Sequence, residues 1–377
     1  MISLIISIQT ASLTISYAAI VLYFRNGWQR LPYFHKTESI PKTMVSVLIA
    51  ARNEEEKIAI TIQDILAQNY PRHLFELIVV DDHSTDSTAA IIASFADQGV
   101  RLLKLNEDRA LNSYKKKAIT EAIKLSKGDF LVATDADCQM GNDWLSTIVN
   151  CYETKGYKMI SSPVVFYEEK SRFEEMQTLE FLYLIGLGAS TIGNKIPSTC
   201  NGANLAYEKR VFWEVNGFLG IDDLASGDDE LLLHKVAAKY PDGIGFCKSR
   251  EALVYTHAKA SVHDFMQQRK RWASKSTKYK NKRIVVLGVS LWLFNLLILG
   301  NFIAGLFYPF HMILAGISLL VKFLVEIAFL IPMCRFVKRN SLIRYHLVVT
   351  VIHIFYLVII GILGNSGKYN WKGRMVR

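Results

Sequence analysis

Apolar and polar positions divide the chain into three regimes. Residues 2–24 form an uncharged apolar run, and residues 284–308, 310–333 and 342–364 form three more. Each is near the ~20 residues needed to cross a hydrocarbon core. Between them, from about 40 to 283, lies a stretch of ordinary domain size whose periods are shorter. There, β-branched runs at 45–51, 77–80 and 130–133 alternate with helical patterns such as 54–67 and 84–95. Strand, helix, strand in that order predicts right-handed crossovers and a largely parallel sheet. In such a sheet ligands bind at the carboxyl ends of the strands. No internal repeat or low-complexity tract interrupts the pattern.

The run 2–24 lacks a basic leading segment and is followed by Arg25, Arg30 and Lys36 without a small-residue cleavage pattern. A retained anchor is therefore expected over a cleaved signal peptide. Pro309 and the basic loop Arg335, Lys338, Arg339 punctuate the C-terminal runs. Basic clusters at 25–42 and 269–283 flank the central domain, which places it on the cytoplasmic side, at a cell (inner) membrane. The expected organisation is a transmembrane helix at 1–24, a cytosolic domain at 40–283, transmembrane or interfacial helices at 284–364, and a basic tail at 365–377. Three full C-terminal spans would set Lys368, Lys372, Arg374 and Arg377 outside, against the same charge rule, so one run is open to an interfacial or re-entrant reading. Lys322 and Glu326, one helical turn apart within the second C-terminal run, either pair with each other or line a polar cavity. The stretch 173–193 is apolar enough to lie in the membrane interface or to be a core helix.

Composition sharpens this picture. With 51% hydrophobic and 21% charged residues, the 377-residue chain is too apolar for two soluble domains. The net charge of +10 sits beside apolar runs rather than on an aromatic-interleaved module, which points to anionic lipid and away from nucleic acid. Five cysteines, odd in number and without a C-x-x-C pair, suggest neither a disulfide framework nor a zinc site.

The chemistry falls at strand ends. Asp81-Asp82 follows the run 77–80, and Asp135-Ala136-Asp137 follows 130–133. The first motif, with Ser84-Thr85-Asp86 behind it, also reads as a helix cap. The second sets two carboxylates one small residue apart, able to converge on a hard cation that holds phosphate oxygens. Asp228-Asp229-Glu230 opens a helix at 231–238, where acids suit the helix dipole. Gln268-x-x-Arg271-Trp272 offers a donor fork for phosphate and a flat ring, or equally an interfacial anchor.

Taken in order, Val47-Leu48-Ile49-Ala50-Ala51-Arg52-Asn53-Glu54-Glu55, Val79-Val80-Asp81-Asp82-His83-Ser84-Thr85-Asp86 and Thr134-Asp135-Ala136-Asp137 resemble the nucleotide-sugar half of a family 2 glycosyltransferase with a GT-A fold. The rest, to residue 283, resembles the acceptor half of the membrane-bound branch that includes ceramide glucosyltransferases, hyaluronan synthases and cellulose synthases. The fold this implies is α/β, a Rossmann-like GT-A domain with α-helical transmembrane segments. The resemblance implies that Asn53, Glu54, Asp81 and Asp82 contact the nucleoside of a UDP-sugar, and that a lysine among Lys115 to Lys117, taken as Lys115, approaches the diphosphate. Asp135 and Asp137 would hold Mg²⁺ or Mn²⁺ on it, Asp137 as the direct ligand. Asp229, with Asp228 beside it, would be the general base of an inverting transfer; Gln268 and Arg271 would serve the leaving diphosphate, and Trp272, Asn201 and Gly202 the acceptor.

Where polymer-forming relatives carry an aromatic-rich glycine motif, this chain reads Thr199-Cys200-Asn201-Gly202-Ala203-Asn204. A late His257 is either a further metal ligand or a loop histidine, and His83 flanks the nucleotide. Three functions stay open: single transfer of a sugar to a lipid-embedded acceptor, processive synthesis of a glycan, and a catalytically silent membrane scaffold.

Overall fold

The computed structural model describes residues 2–106, 111–275, 279, 281–363, 369–371 and 374–376; Lys368, Lys372 and Arg377 of the expected basic tail lie outside them. The chain divides into two compact units. Arg30–Glu168, Thr191–Ala258 and Lys368–Arg377 form an α/β unit, and Met1–Gln29, Glu169–Ser190 and Lys259–Gly367 form a helical one.

After the long helix α1 (Ile2–Arg30), the α/β unit opens with β1 (Val45–Ala51), α2 (Ile58–Leu66), β2 (Phe75–Asp81), α3 (Thr88–Ala93), β3 (Val100–Lys104), α4 (Tyr114–Leu125) and β4 (Phe130–Asp135). It continues with β5 (Gln139–Met140), α5 (Trp144–Lys155), β6 (Met159–Ser161) and β7 (Val164–Phe166). After α6 (Arg172–Gly193) come β8 (Leu205–Glu208), α7 (Lys209–Glu214), α8 (Glu230–Lys239), β9 (Ile244–Phe246) and β10 (Val254–Thr256). Seven strands form one sheet in the order β3-β2-β1-β4-β8-β6-β9, and β5-β10-β7 form a second. The strands β3, β2, β1 and β4 run parallel, as the alternation of strand and helix predicts. β8 runs against both its neighbours, so the sheet is mixed on that side.

Val47, Leu48, Ile49, Leu77, Val79 and Val80 are almost wholly buried, as expected of central parallel strands covered on both faces. α2 docks through Ile58, Thr61, Ile62 and Ile65, one stripe at helical spacing. From β1 the chain moves outward to β2 and β3, then returns to place β4 on the other side of β1. That reversal makes the carboxyl ends of β1 and β4 the topological switch point, where an open sheet leaves a crevice.

Several boundaries differ from the sequence expectation, for local reasons. β2 and β4 each run on to include the acid expected just after them, Asp81 and Asp135. α2 starts at Ile58 rather than 54 because the residues before it are tied sideways. The Glu54 N–H donates to Thr88 Oγ1 at 2.8 Å, and Glu55 Oε2 accepts the Ser87 N–H at 2.9 Å. α3 starts at Thr88 rather than 84, where Asp86 Oδ1 accepts the Thr88 N–H at 3.0 Å.

The helical unit contains α1 up to Gln29, α6 up to Ser190, α9 (Val262–Ser274), α10 (Lys282–Gly305), α11 (Pro309–Phe336) and α12 (His346–Leu363). Among the described residues four helical stretches, Leu4–Arg30, Ile284–Gly305, Pro309–Phe336 and Asn340–Ile362, are long and apolar enough to cross a membrane. The strands β11 (Tyr369–Trp371) and β12 (Arg374–Val376) pair with each other.

Buried polar bonds link these helices. Lys322 and Glu326 pair with each other at 2.6 Å, settling the two readings of that turn in favour of the buried pair. The Tyr17 hydroxyl donates to Glu326 Oε1 at 2.5 Å, and Thr350 Oγ1 donates to Oε2 at 3.2 Å. Thr14 and Ser318 share a hydrogen bond at 2.9 Å, and Asn301 bonds both Thr10 and His311. Trp28 meets the Phe336 ring edge-on, with centroids 5.5 Å apart. α6 is packed here too: the Tyr183 ring lies against Phe329, and a Cβ added at Gly186 would come within 2.9 Å of Met333.

Candidate active site

The site of the α/β unit is assembled by register. Ala51 of β1 pairs with Asp81 of β2, and Ala50 pairs with Asp135 of β4. The two acids therefore flank the end of β1, about 10 Å apart at one strand spacing on each side.

Asp81 and Asp82 are buried, and Asp81 Oδ1 has no hydrogen-bond partner, a cost the fold sustains at few places. Asp82 Oδ1 lies 3.0 Å from His83 Nδ1, and the His83 ring sits edge-on to Tyr114. Both Asn53 and His83 adopt left-handed backbone, with φ of 49° and 53°. The turns that carry them are cross-tied. Asn53 Oδ1 accepts the Thr85 N–H at 2.9 Å, and the Arg52 guanidinium donates to the Asp82 and His83 carbonyls at 2.9 Å each. The expected nucleoside contacts Asn53, Glu54, Asp81 and Asp82 thus come together on one braced ridge.

On the other side of β1, the oxygens of Asp135 and Asp137 and the sulfur of Cys138 lie within 4.8 Å of one another. Asp135 and Asp137 are half-buried, whereas Cys138 is fully buried. Burial pushes the Cys138 thiol well above its ordinary range, and the neighbouring Asp137 and Asp135 carboxylates add to this. A neutral thiol is a poor ligand for a hard ion. The two carboxylates are therefore the donors in this trio that fit Mg²⁺ or Mn²⁺. His257 is not in the group; its ring lies 4.8 Å from that of Tyr167.

The three consecutive lysines separate into three roles. Lys115 Nζ lies 2.7 Å from Asp135 Oδ1 and 3.1 Å from Asp228 Oδ2, bridging the β4 acids to the acid pair before α8. Burial alone would lower its pKa, but Asp135 and Asp228 outweigh that and hold it above the ordinary lysine range. Lys116 points into the protein, and Lys117 pairs with Glu121 on the helix at 3.0 Å. The sequence reading held Lys116 only as one of three lysines that could approach the diphosphate, although its place one and two turns before Ile119 and Ile123 marked it as core-facing.

Asp228 and Asp229 differ in their surroundings. Burial would raise the Asp228 pKa, but Lys115 and Lys116 more than offset this and hold the carboxyl below the usual carboxylate range. Asp229 caps α8: its Oδ1 accepts the Glu230 N–H at 2.6 Å and its Oδ2 the Gly202 N–H at 3.1 Å. The turn of Asn201 and Gly202 therefore rests on this pair. A Cβ added at Gly202 would be 3.4 Å from both Asp228 Oδ2 and Asp229 Cβ. A recess lined by Lys115, Thr134, Gly202, Tyr207 and Asp228 opens beside it.

Gln268, Arg271 and Trp272 lie on α9, in the helical unit. The buried cation of this helix is Arg269, which donates to Glu180 of α6 and stacks 4.2 Å from the Trp272 ring centroid. Arg269 shares one face with Phe265 and Trp272 at helical spacing, whereas Arg271 is half-exposed on the last turn. Gln268 Oε1 accepts from Arg269 at 3.1 Å.

Comparisons with known proteins bear on the fold of the α/β unit. Residues 46–215 match the model of glycosyl transferase family 2. A beta-monoglucosyldiacylglycerol synthase of Nostoc sp. is 32% identical over 109 residues, 29% of this chain and 23% of that one, so the match spans less than a quarter of that relative. The probable glycosyltransferase YdaM of Bacillus subtilis is 26% identical over 322 residues, covering 78% of this chain and 73% of its own. Among solved structures, the mannosyltransferase PcManGT of Pyrobaculum calidifontis, determined with GDP-Man and Mn²⁺, superposes with a TM-score of 0.55 at 18% identity over 93% of this chain and 99% of its own. With its parallel switch point and acid-lined strand ends, the α/β unit has a GT-A fold whose residues 46–215 match glycosyl transferase family 2, and among the described residues four helices are long and apolar enough to cross a membrane.

Proposed function

We propose that the protein transfers one sugar, with inversion, from a UDP-sugar to a lipid-embedded acceptor at the cytoplasmic face of a membrane. The observation that carries the reading is the chain of charge Asp135–Lys115–Asp228, which joins a metal-suited carboxylate pair to the acids before α8. Asp81, with its unpartnered buried oxygen, and the braced Asn53 turn supply polar groups for the nucleoside. Asp135 and Asp137 would hold a divalent ion, which when bound neutralises the diphosphate and polarises its bond to the sugar. Lys115, released from its carboxylates, would meet the same diphosphate.

Between the two acids, Asp229 is the better base. Asp228 is committed to Lys115 and its proton affinity is depressed. The Asp229 oxygens accept the backbone N–H groups of Glu230 and Gly202, which aim the carboxylate at the Asn201–Gly202 turn. It would take the acceptor hydroxyl proton as that oxygen attacks the anomeric carbon opposite the departing UDP, with the Asn201–Gly202 turn against the acceptor. Gln268, Arg271 and Trp272 are proposed to serve the leaving group and the acceptor. The lipid acceptor draws on the four apolar helices and on the name of the Nostoc relative.

The test is transfer of label from UDP- and GDP-sugars, with Mg²⁺ or Mn²⁺, in membranes carrying the chain, followed by partition between organic solvent and water. Label in the organic phase is expected. Label in a large aqueous polymer would make the enzyme a processive synthase, and absence of any transfer, equal to the Asp229→Asn control, would leave only a scaffold.

A further inference from the structure

Lys116 is 2% exposed, yet it is a cation and the mechanism above makes no use of it. Its Nζ donates to three main-chain carbonyls, those of Ile221 at 2.6 Å, Leu224 at 2.7 Å and Ser226 at 2.8 Å. An ammonium has three N–H donors and no acceptor, so this cradle matches it donor for donor. All three carbonyls belong to one loop, the segment between α7 and α8 that ends in Asp228-Asp229. That loop contains three glycines in left-handed backbone, Gly217 (φ 45°), Gly220 (φ 81°) and Gly227 (φ 83°), positions with little intrinsic stiffness.

We infer that Lys116 is a positioning residue of this enzyme, its ammonium pinning the loop from Ile221 to Ser226 so that Asp228 and Asp229 are held at the head of α8. The inference rests on the reading of that acid pair as catalytic. The geometry is economical: neighbouring residues of α4 serve the two ends of the same motif. Lys115 binds the Asp228 carboxylate directly, and Lys116 fixes the backbone leading into it. Burial brings the Lys116 pKa down to about 8, and Asp228, Asp229, Asp223 and Asp222 oppose this by favouring its charged form. Burying an unpaired ammonium is costly, and the three carbonyls together with these acids are what make it tolerable here.

A positioning role predicts a loss in turnover that donor binding does not share. Lys116→Gln keeps two donors and Lys116→Arg keeps the charge in a flat fork that cannot converge on three carbonyls. In the full-length protein in lipid nanodiscs, both should lower kcat about 10²-fold, the scale expected for a misplaced catalytic group. UDP affinity, measured by calorimetry, should be unchanged. Hydrogen exchange should quicken in the loop 219–229 while β1, β2 and β4 stay protected. A wild-type kcat in Lys116→Gln overturns the assignment, as does a loss matched by weaker UDP binding and by faster exchange throughout the domain. Failure of both variants to fold would make Lys116 a folding residue and overturn it equally. Asp229→Asn runs alongside: if it retains transfer, the acid-pair reading fails; if it is inactive while Lys116→Gln is normal, only the present inference does.

Discussion

Asp229→Asn changes one atom type and very little shape, and the structure allows its two consequences to be separated. The wild-type carboxylate accepts two backbone N–H groups, from Glu230 and from Gly202. An asparagine can accept only one of these through its carbonyl, leaving its NH₂ facing the other N–H. One buried donor left unmatched costs about 1–3 kcal/mol, borne by the turn of Asn201 and Gly202 or by the first turn of α8. The chemical consequence is larger. Loss of general-base assistance lowers turnover about 10²–10⁴-fold, which corresponds to about 3–5 kcal/mol of barrier. The assay is initial-rate transfer at saturating donor, with UDP binding and a thermal melt on the same preparation. The expected result is a kcat lower by at least 10²-fold, unchanged UDP binding and a modestly lower melt. Asp228→Asn should lose less turnover, because Asp228 is tied to Lys115. A kcat for Asp229→Asn within tenfold of wild type, or a greater loss in Asp228→Asn, would refute the assignment of the base.

Lys115→Met removes the cation shared by Asp135 and Asp228 and should cost about 10²–10³-fold in transfer with weaker UDP binding, read from kcat and KM together; normal kinetics would remove Lys115 from the site. Asp137→Ala should abolish both transfer and UDP-dependent Mn²⁺ binding followed by paramagnetic resonance, and unaltered Mn²⁺ binding would assign the ion elsewhere. Lys322→Met leaves the Glu326 carboxylate without its counter-ion and should destabilise the protein by about 3–5 kcal/mol in nanodisc melts. The double variant Lys322→Met, Glu326→Leu should recover most of this, and additive losses would show that the two do not act as a pair. At Glu76, burial would raise the pKa, but the Lys127 N–H, Ser46 hydroxyl and Arg101 guanidinium outweigh it and lower it. A carboxyl more acidic when folded adds stability that is present above the unfolded carboxylate range and is lost as pH falls through the folded pKa. Glu76→Gln should therefore melt lower at pH 7 and show a flatter decline in acid; parallel melting curves against pH would disprove the linkage.

The central strands were legible because parallel strands buried on both faces leave unbroken runs such as Val45 to Ala51, and the acids at their ends mark where such a sheet opens. The reversed direction of β8 left no local trace, since pairing sense depends on partners far along the chain. Helix starts were misjudged where side chains bind across loops: Glu54 and Glu55 look helical in sequence and are instead fastened to Thr88 and Ser87. Lys115 to Lys117 are chemically identical, and only helical phase, read against Ile119 and Ile123, distinguishes them. Phase also explains Arg269: it lies four residues after Phe265 and three before Trp272, on the packed face of α9, which a motif read for its ends passes over.

The polar bonds of the helical unit bear on how the chain is made. Tyr17 and Glu326 are 309 positions apart, so at ribosomal speeds of about 5–20 residues per second roughly 15–60 seconds separate their synthesis. During that wait α1 is nearly self-sufficient: the Thr10 hydroxyl bonds the Ile6 carbonyl and the Thr14 hydroxyl bonds the Thr10 carbonyl, one turn back. α11 likewise arrives with its cation and anion already neutralising each other within a single turn. Each helix can therefore partition into lipid as a finished piece, and the bonds through Tyr17, Thr350 and Ser318 become a late fastening step. A nascent chain stalled before Glu326 would hold an inserted but unfastened first helix, a state that crosslinking from position 17 to lipid or to the insertion machinery could catch.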